Sequence, residues 1–221
     1  MTLEGWSALI LAGGAGRRFG SEGGGGKLLA DLAGAPVIRR VADRVLGAGF
    51  AEVIAITGAG DASIRRALAG VDVSISHAPD WAEGMAASLR AGVAALAPEA
   101  IGVCVFLGDM PMVPVGLCRP LVAAAETAGY AARPRFEGKP GHPVAFARVA
   151  FADLAGLIGD EGAAAMLKGR SDVAYCDNAD RGVLLDIDTP DDLAAAIAAW
   201  NACETSAISE SATSRGALPN P

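Results

Sequence analysis

The chain has 221 residues, enough for one well-buried domain and too few for two of ordinary size. Hydrophobic residues make up 52% of it and charged residues 19%, which excludes global disorder. Its formal net charge of −7 disfavours a nucleic acid partner, because phosphate backbones recruit basic surfaces. No apolar run approaches the roughly 18 residues of a membrane span. We therefore expect a cytoplasmic protein with no membrane contact.

Apolar runs of strand length alternate with helical patterns along most of the chain. Such near-continuous apolar strands are typical of a parallel sheet covered on both faces, and the alternating order predicts a three-layer α/β fold. The predicted strands are 7–12, 53–57, 71–76, 101–107 and 183–187, and the predicted helices are 36–48, 62–69, 85–97 and 115–128.

The alternation stops after residue 130. Residues 133–142 are rich in proline, glycine and charge, and we interpret them with the apolar segment 144–146 as a small β excursion over one edge of the sheet. A helical stretch over 148–167, the strand 183–187 and a closing helix over 190–200 complete one domain, residues 1–200. The tail 201–221 has a polar and small-residue composition that predicts poor order.

A glycine-rich loop follows the first predicted strand directly. Residues 11–18 read LAGGAGRR, and Lys27 follows a further run of glycines at 23–26. Glycines let the backbone approach a phosphate and turn N–H groups toward it, while Arg17 and Lys27 supply positive charge. Because ligands bind at the carboxyl edge of a parallel sheet, the loop predicts a site for a polyphosphate.

The loop fits neither of two common phosphate-binding motifs. A P-loop needs Ser or Thr after its lysine and a glycine six positions before it, where this chain has Leu28 and Ser21. The dinucleotide fingerprint needs a glycine at Phe19. The remaining pattern, L-A-G-G-x-G-x-R with a lysine downstream, resembles the signature of sugar-nucleotide and cofactor nucleotidyltransferases.

Carboxylates follow two of the predicted strands. Asp109 comes just past the strand 101–107, and Asp186 and Asp188 lie in the segment LDIDTP, on one face if that strand continues. Hard cations prefer oxygen ligands, so we predict that Asp109, with Asp186 or Asp188, binds Mg²⁺, or Mn²⁺ in its place. The alternatives are that Asp109 shapes a turn and that Asp188 or Thr189 caps the helix starting at Pro190.

Six segments in this order resemble the molybdenum-cofactor nucleotidyltransferases, particularly the cytidylyltransferase branch, over about residues 7–200. They are LAGG with Gly16 and Arg18, KLL from Lys27, GMAASLRAG at 84–92, LGDMP at 107–111, GHPVAF at 141–146 and DIDTP at 186–190. The resemblance implies a Rossmann-like nucleotidyltransferase fold. It also implies an NTP and a molybdopterin-type acceptor as substrates, and a molybdenum enzyme or its chaperone as a further partner.

The resemblance implies roles for individual residues. The catalytic set is Arg17, Arg18, Lys27 and Asp109, and the metal ligands are Asp109, Asp186 and Asp188. The residues that contact substrate are Leu11, Ala12, Gly13, Gly14, Ala15, Gly16, Lys27, Gly84, Ser88, Gly108 and, on the pterin side, His142. For Ser88 and His142 a purely structural role is the alternative.

In the implied reaction the terminal phosphate of molybdopterin attacks the α-phosphorus of the NTP, and pyrophosphate leaves. The attacking phosphate is already an anion, so catalysis reduces to alignment and charge neutralisation. The reading LAGG resembles the guanylyltransferase branch, which leaves CTP and GTP open. Three alternatives remain: transfer to a sugar phosphate or another phosphorylated acceptor, a nicotinamide-dependent oxidoreductase, and a non-catalytic cofactor carrier.

Overall fold

The computed structural model describes residues 3–14, 19, 26–159 and 162–215. Its strands are β1 (Trp6–Ala12), β2 (Asp31–Leu32), β3 (Ala35–Pro36), β4 (Glu52–Thr57), β5 (Ser74–His77), β6 (Gly102–Leu107), β7 (Ala131–Phe136), β8 (Lys139–Pro140), β9 (Val144–Ala147) and β10 (Val173–Asp177). Its α-helices are α1 (Val37–Gly47), α2 (Asp61–Ala67), α3 (Met85–Ala95), α4 (Cys118–Ala128), α5 (Phe151–Ala155), α6 (Ala164–Leu167) and α7 (Pro190–Arg215).

In the described part of the chain, eight strands form one sheet in the order β10-β7-β9-β6-β1-β4-β5, with β8 paired to β7. The central strand β1 is parallel to both β4 and β6, and β9 runs antiparallel to β6 and β7. The mostly parallel sheet is as predicted. The excursion after residue 130 forms β7, β8 and β9, which extend the sheet beyond β6 instead of covering its edge.

Alternating side chains of β1 enter two separate cores, one on each face of the sheet. Ala8 and Ile10 pack in a cluster that includes residues of α1, α2 and α4. Leu9 packs on the other face with Leu89 of α3 and Leu154 of α5. Helices therefore cover both faces, and the three-layer prediction is confirmed.

A third cluster attaches α7 to the small hairpin formed by β2 and β3. Trp200 is buried there with Leu32 and Val37. The guanidinium carbons of Arg40 and Arg44 lie 5.0 and 5.3 Å from the centroid of the Trp200 ring, within the range of a cation–π contact. In the described residues no helix is both long and apolar enough to span a membrane.

Several predicted elements differ from the structure. Residues 183–187 are not a strand: a 3₁₀ turn covers Arg181–Leu184, and the sheet edge is formed by β10, which the sequence reading missed. The helical stretch over 148–167 is divided into a 3₁₀ turn, α5 and α6. The closing helix begins at Pro190 but continues past Trp200 to Arg215. The domain limit at residue 200 stays a prediction.

Candidate active site

The carboxyl ends of β1, β4 and β6 meet at one edge of the sheet because the three strands are parallel. The chain leaves β1 through Gly13, where an added Cβ would lie 2.6 Å from Ser88 Oγ. On the other side, a Cβ on Gly58 would lie 2.8 Å from the Cα of Gly13. Only a residue without a side chain fits at Gly13 without displacing a neighbour.

The start of α3 contributes the second side of this region. Ser88 is buried in the first turns of α3, directly against Gly13. Gly84 precedes the helix with φ 117° and ψ −168°, a backbone conformation that side-chain-bearing residues rarely adopt. The structure thus brings Gly13 and Ser88 together, and Gly84 lies at the start of the same helix as Ser88.

A close backbone contact places Asp109 beside the first loop. The N–H of Gly108 donates to the carbonyl of Leu11 at 2.9 Å, and a Cβ on Gly108 would lie 2.9 Å from that oxygen. The backbone N–H of Ile187 then donates to the carbonyl of Asp109 at 3.0 Å. The segments carrying Asp109 and the pair Asp186/Asp188 therefore run side by side, although the second is not a strand.

Lys27 bridges two of the predicted carboxylates. Its Nζ lies 2.5 Å from Asp109 Oδ2 and 2.5 Å from Asp188 Oδ1. Burial alone would lower the pKa of Lys27, but the charge and hydrogen bonds of Asp109 and Asp188 together raise it above its usual value. Lys27 is therefore a charged ammonium held inside the carboxylate cluster of Asp109, Asp186 and Asp188.

The hydrogen bonds at the start of α7 show which residue caps this helix, Asp188 or Thr189. Thr189 N–H donates to Asp192 Oδ2 at 2.8 Å, and Asp192 N–H donates to Thr189 Oγ1 at 3.2 Å. This reciprocal pair is a capping box at the start of α7. Because Asp192 and Thr189 satisfy the helix terminus, the Asp188 side chain points at Lys27.

The carboxylate cluster fits a divalent cation in its chemistry. Asp109 Oδ1 is buried and has no hydrogen-bond partner in the described structure, which leaves it available as a ligand. Burial, followed by the charges of Asp188 and Asp109, raises the pKa of Asp186. As they stand, however, no three or more His, Cys, Asp or Glu side chains of the described residues are arranged around a metal position, and Lys27 lies between Asp109 and Asp188.

His142 lies at the start of β9 on the same edge of the sheet, since β9 is antiparallel to β6. Its N–H donates to the carbonyl of Val183 at 2.9 Å. Burial, and then the nearby Arg133, lowers the pKa of His142 to about 4, so the ring is neutral near pH 7. Its Nδ1 is buried without a hydrogen-bond partner in the part of the chain that is described.

Arg133 lies near His142 but was not predicted from the sequence as a candidate site residue. It is 8% exposed on β7 and donates from Nη2 to the carbonyl of Gly141 at 3.1 Å. Its signal was an arginine inside a strand-like run, AARPRF. It was missed because the surrounding prolines and glycines indicated an irregular segment.

Some predicted site residues have a defined place and others do not. Leu11 and Ala12 are the last two residues of β1, and Gly14 follows Gly13 with no described residue beyond its chain neighbours within 4 Å of its Cβ position. Ala15, Gly16, Arg17 and Arg18 lie outside the described residues, so their roles stay predictions.

A family model, the MobA-like NTP transferase domain, matches residues 8–178. The chain belongs to this family. Its members are nucleotidyltransferases, and the protein is an enzyme of that type that uses an NTP. No curated protein is similar enough in sequence to count as a match.

Solved structures agree with the family. Rv0371c from Mycobacterium tuberculosis H37Rv is 30% identical, with 87% of this chain and 97% of that chain covered and a TM-score of 0.76. The same protein in complex with manganese superposes with a TM-score of 0.73 at 27% identity, over 87% and 97% of the two chains. A nucleotidyl transferase from Methanothermobacter, Mth528, is 25% identical over 85% of this chain and 93% of its own, with a TM-score of 0.72. The predicted Rossmann-like nucleotidyltransferase fold is confirmed.

Proposed function

We propose that this nucleotidyltransferase moves an NMP, CMP from CTP in the first instance, to the terminal phosphate of molybdopterin and releases pyrophosphate. The observation that carries the proposal is the carboxylate cluster with Lys27, placed beside the Gly13 loop at the carboxyl edge of β1 and β6. The molybdopterin acceptor rests on the resemblance of the segments 84–92, 107–111 and 141–146 to molybdenum-cofactor nucleotidyltransferases.

The nucleotide half of the site is formed by the loop after β1 and the start of α3. Gly13 and Gly14 offer backbone that a phosphate can approach, and Ser88 supplies a hydroxyl beside them. Arg17, Arg18 and Lys27 offset the charge of the triphosphate. Since the attacking phosphate is already an anion, the residues need only align the two substrates and neutralise the leaving pyrophosphate.

Mg²⁺ is the proposed cofactor, with Mn²⁺ as the alternative that the manganese complex of Rv0371c supports. Asp109 would hold the ion through the buried oxygen that has no partner among the described residues, with Asp186 or Asp188 beside it. When bound, the ion neutralises phosphate charge and polarises the α-phosphorus. The acceptor half would lie toward His142 and Arg133, on β9 and β7.

Pyrophosphate release with purified molybdopterin and each of CTP, GTP, ATP and UTP tests this proposal. We expect release with CTP, and Asp109→Asn should lower the rate by roughly 10²–10³-fold because the carboxylate that would hold the metal ion at the reacting phosphates is lost. The control is Asp72→Asn, which removes the charge of an exposed residue after α2.

Thermal stabilisation by each NTP with Mg²⁺ identifies the base independently of the acceptor. A ligand at 100 times its dissociation constant adds about 2.7 kcal/mol, so the preferred NTP should be evident. Preference for GTP would reassign the protein to guanylyl transfer, which the LAGG reading favours. Full activity of Asp109→Asn would refute the site, and release with a sugar phosphate but not molybdopterin would refute the acceptor.

A further inference from the structure

The position of Lys27 in the carboxylate cluster has a direct electrostatic consequence. One ammonium lies at 2.5 Å from oxygens of both Asp109 and Asp188. A divalent ion binds carboxylate oxygens at about 2.0–2.6 Å. The two cations cannot occupy the space between the same two carboxylates at once, because like charges at that separation repel strongly.

The turn that carries Lys27 packs against the end of β6, and the lysine side chain can make the exchange without moving this turn. Lys27 is in the 3₁₀ turn Gly26–Leu29, in which Leu28 is buried. Leu28 Cδ2 lies 3.4 Å from the Cβ position of Gly108, which ties the turn to the end of β6. The four-carbon stem of lysine can swing the ammonium while the turn stays in place.

We propose that Lys27 is the resident counter-ion of the carboxylate cluster, and that it is exchanged for the divalent cation when the NTP binds. The inference rests on the proposed function and adds an order of events to it. Without nucleotide, Lys27 neutralises Asp109 and Asp188 and competes with the metal. With nucleotide, the triphosphate takes over the ammonium and releases both carboxylates.

Metal and nucleotide binding are then coupled through one side chain. The coupling is reciprocal: if NTP strengthens metal binding by a given factor, metal strengthens NTP binding by the same factor. The Asp188 side chain is 39% exposed and that of Asp109 17%, so an incoming ion reaches the cluster from the Asp188 side. Without nucleotide, the metal ion should bind weakly because the Lys27 ammonium is already bound to Asp188.

Titration with Mn²⁺ alone, followed by the electron paramagnetic resonance signal of free Mn²⁺, tests this inference. Removal of the ammonium in Lys27→Met, or in Lys27→Gln should the first variant not fold, should tighten Mn²⁺ binding at least about tenfold. Lys27→Arg keeps the charge and should bind Mn²⁺ about as weakly as the wild type. Lys168→Met, at an exposed lysine, is the matched control and should also behave as wild type.

The outcomes separate this inference from the proposed function. If Lys27→Met and Lys168→Met bind Mn²⁺ equally, or if Lys27→Arg tightens binding as much as Lys27→Met, the counter-ion role is refuted. NTP stabilisation and pyrophosphate release by the wild type would still support the proposed function. Conversely, a wild type that releases no pyrophosphate refutes the proposed function. The comparison of Mn²⁺ binding among the variants would still decide whether Lys27 is the counter-ion.

Discussion

Asp188 and Asp192 are four positions apart in the sequence, but their side chains have different partners. Asp192 accepts from Thr189 and caps α7, while Asp188 accepts from Lys27. A helix starting with Thr-Pro-Asp-Asp can be capped without Asp188, so that carboxylate is available for the site. The division of roles explains how a segment that resembles a simple helix start can also contribute a side chain to the candidate active site.

His142 predicts a pH dependence of stability. Its pKa falls from 6.5 to about 4 in the folded protein, so the folded state disfavours the protonated ring. The contribution of neutral His142 is complete above pH 6.5 and is lost as the pH falls toward 4. Relative to His142→Gln, the wild type should lose on the order of 2 kcal/mol of unfolding free energy between pH 7 and pH 4.

Urea unfolding of both proteins across that range measures the difference. Because the same carboxylates titrate in both, including Asp186, their contributions cancel in the comparison. A difference that stays constant from pH 7 to pH 4 would contradict the buried, neutral state of His142. A loss on the alkaline side instead would show the opposite sign and contradict it equally.

At the scale of elements, the end of β1 lies in close contact with the start of α3. Gly13→Ala would place a Cβ 2.6 Å from Ser88 Oγ, so either the buried Ser88 hydroxyl must rotate or α3 must shift away from β1. We expect a loss of about 1–3 kcal/mol in unfolding free energy, together with weaker NTP binding. Urea unfolding and NTP titration measure the two effects.

Two further variants test whether the contact between the new Cβ and Ser88 causes the loss of stability in Gly13→Ala. Gly14→Ala meets nothing within 4 Å among the described residues and should leave the unfolding free energy nearly unchanged. Adding Ser88→Ala to Gly13→Ala removes the Oγ that the new Cβ would meet, and should recover most of the lost stability. Equal losses for Gly13→Ala and Gly14→Ala would contradict the steric account.

The elements that the sequence predicted well are those buried on both faces. β1 and β6 are continuous apolar runs, and their ends place the Gly13 loop and Asp109 at one edge. β10 was missed because it is an edge strand in which only Val173 is buried. Residues 183–187 looked like a strand because most of them are apolar, but their two buried side chains, Val183 and Ile187, pack into two different hydrophobic clusters and form no ladder.

The candidate site, like the fold, could be predicted only in part from the sequence. Its position after a strand was enough to place Asp109 at the sheet edge, but the bond between Lys27 and Asp188 joins residues 161 positions apart. No local pattern contains such a contact, because it depends on how the segment before α7 returns past β6. Likewise, burial of Arg133 follows from the pairing of β7 with β9 and β10, not from its own surroundings in the sequence.

For the whole molecule, Trp200 connects the last helix to the first half of the chain. It is 8% exposed and lies against Arg40 and Arg44 of α1. Trp200→Ala should lower the unfolding free energy by about 3–5 kcal/mol through the cavity it leaves, as measured by urea unfolding. Trp200→Phe keeps an aromatic face over both arginines and should lose clearly less. Similar losses for the two variants would contradict the role of the stacked ring.

The reversed direction of β9 has a consequence for how this enzyme could diversify. Strands β1 and β6 deliver their loops to the ligand-binding edge after they end, whereas β9 delivers His142 before it begins. The nucleotide and the acceptor would therefore be bound by separate segments of the chain. These segments lie at the same edge of the sheet but do not belong to the same loop. Insertions or exchanges in the connection between β8 and β9 could alter the acceptor while the nucleotide loop keeps its shape. The reversed direction of β9 would thus make acceptor choice a trait that varies independently of nucleotide binding.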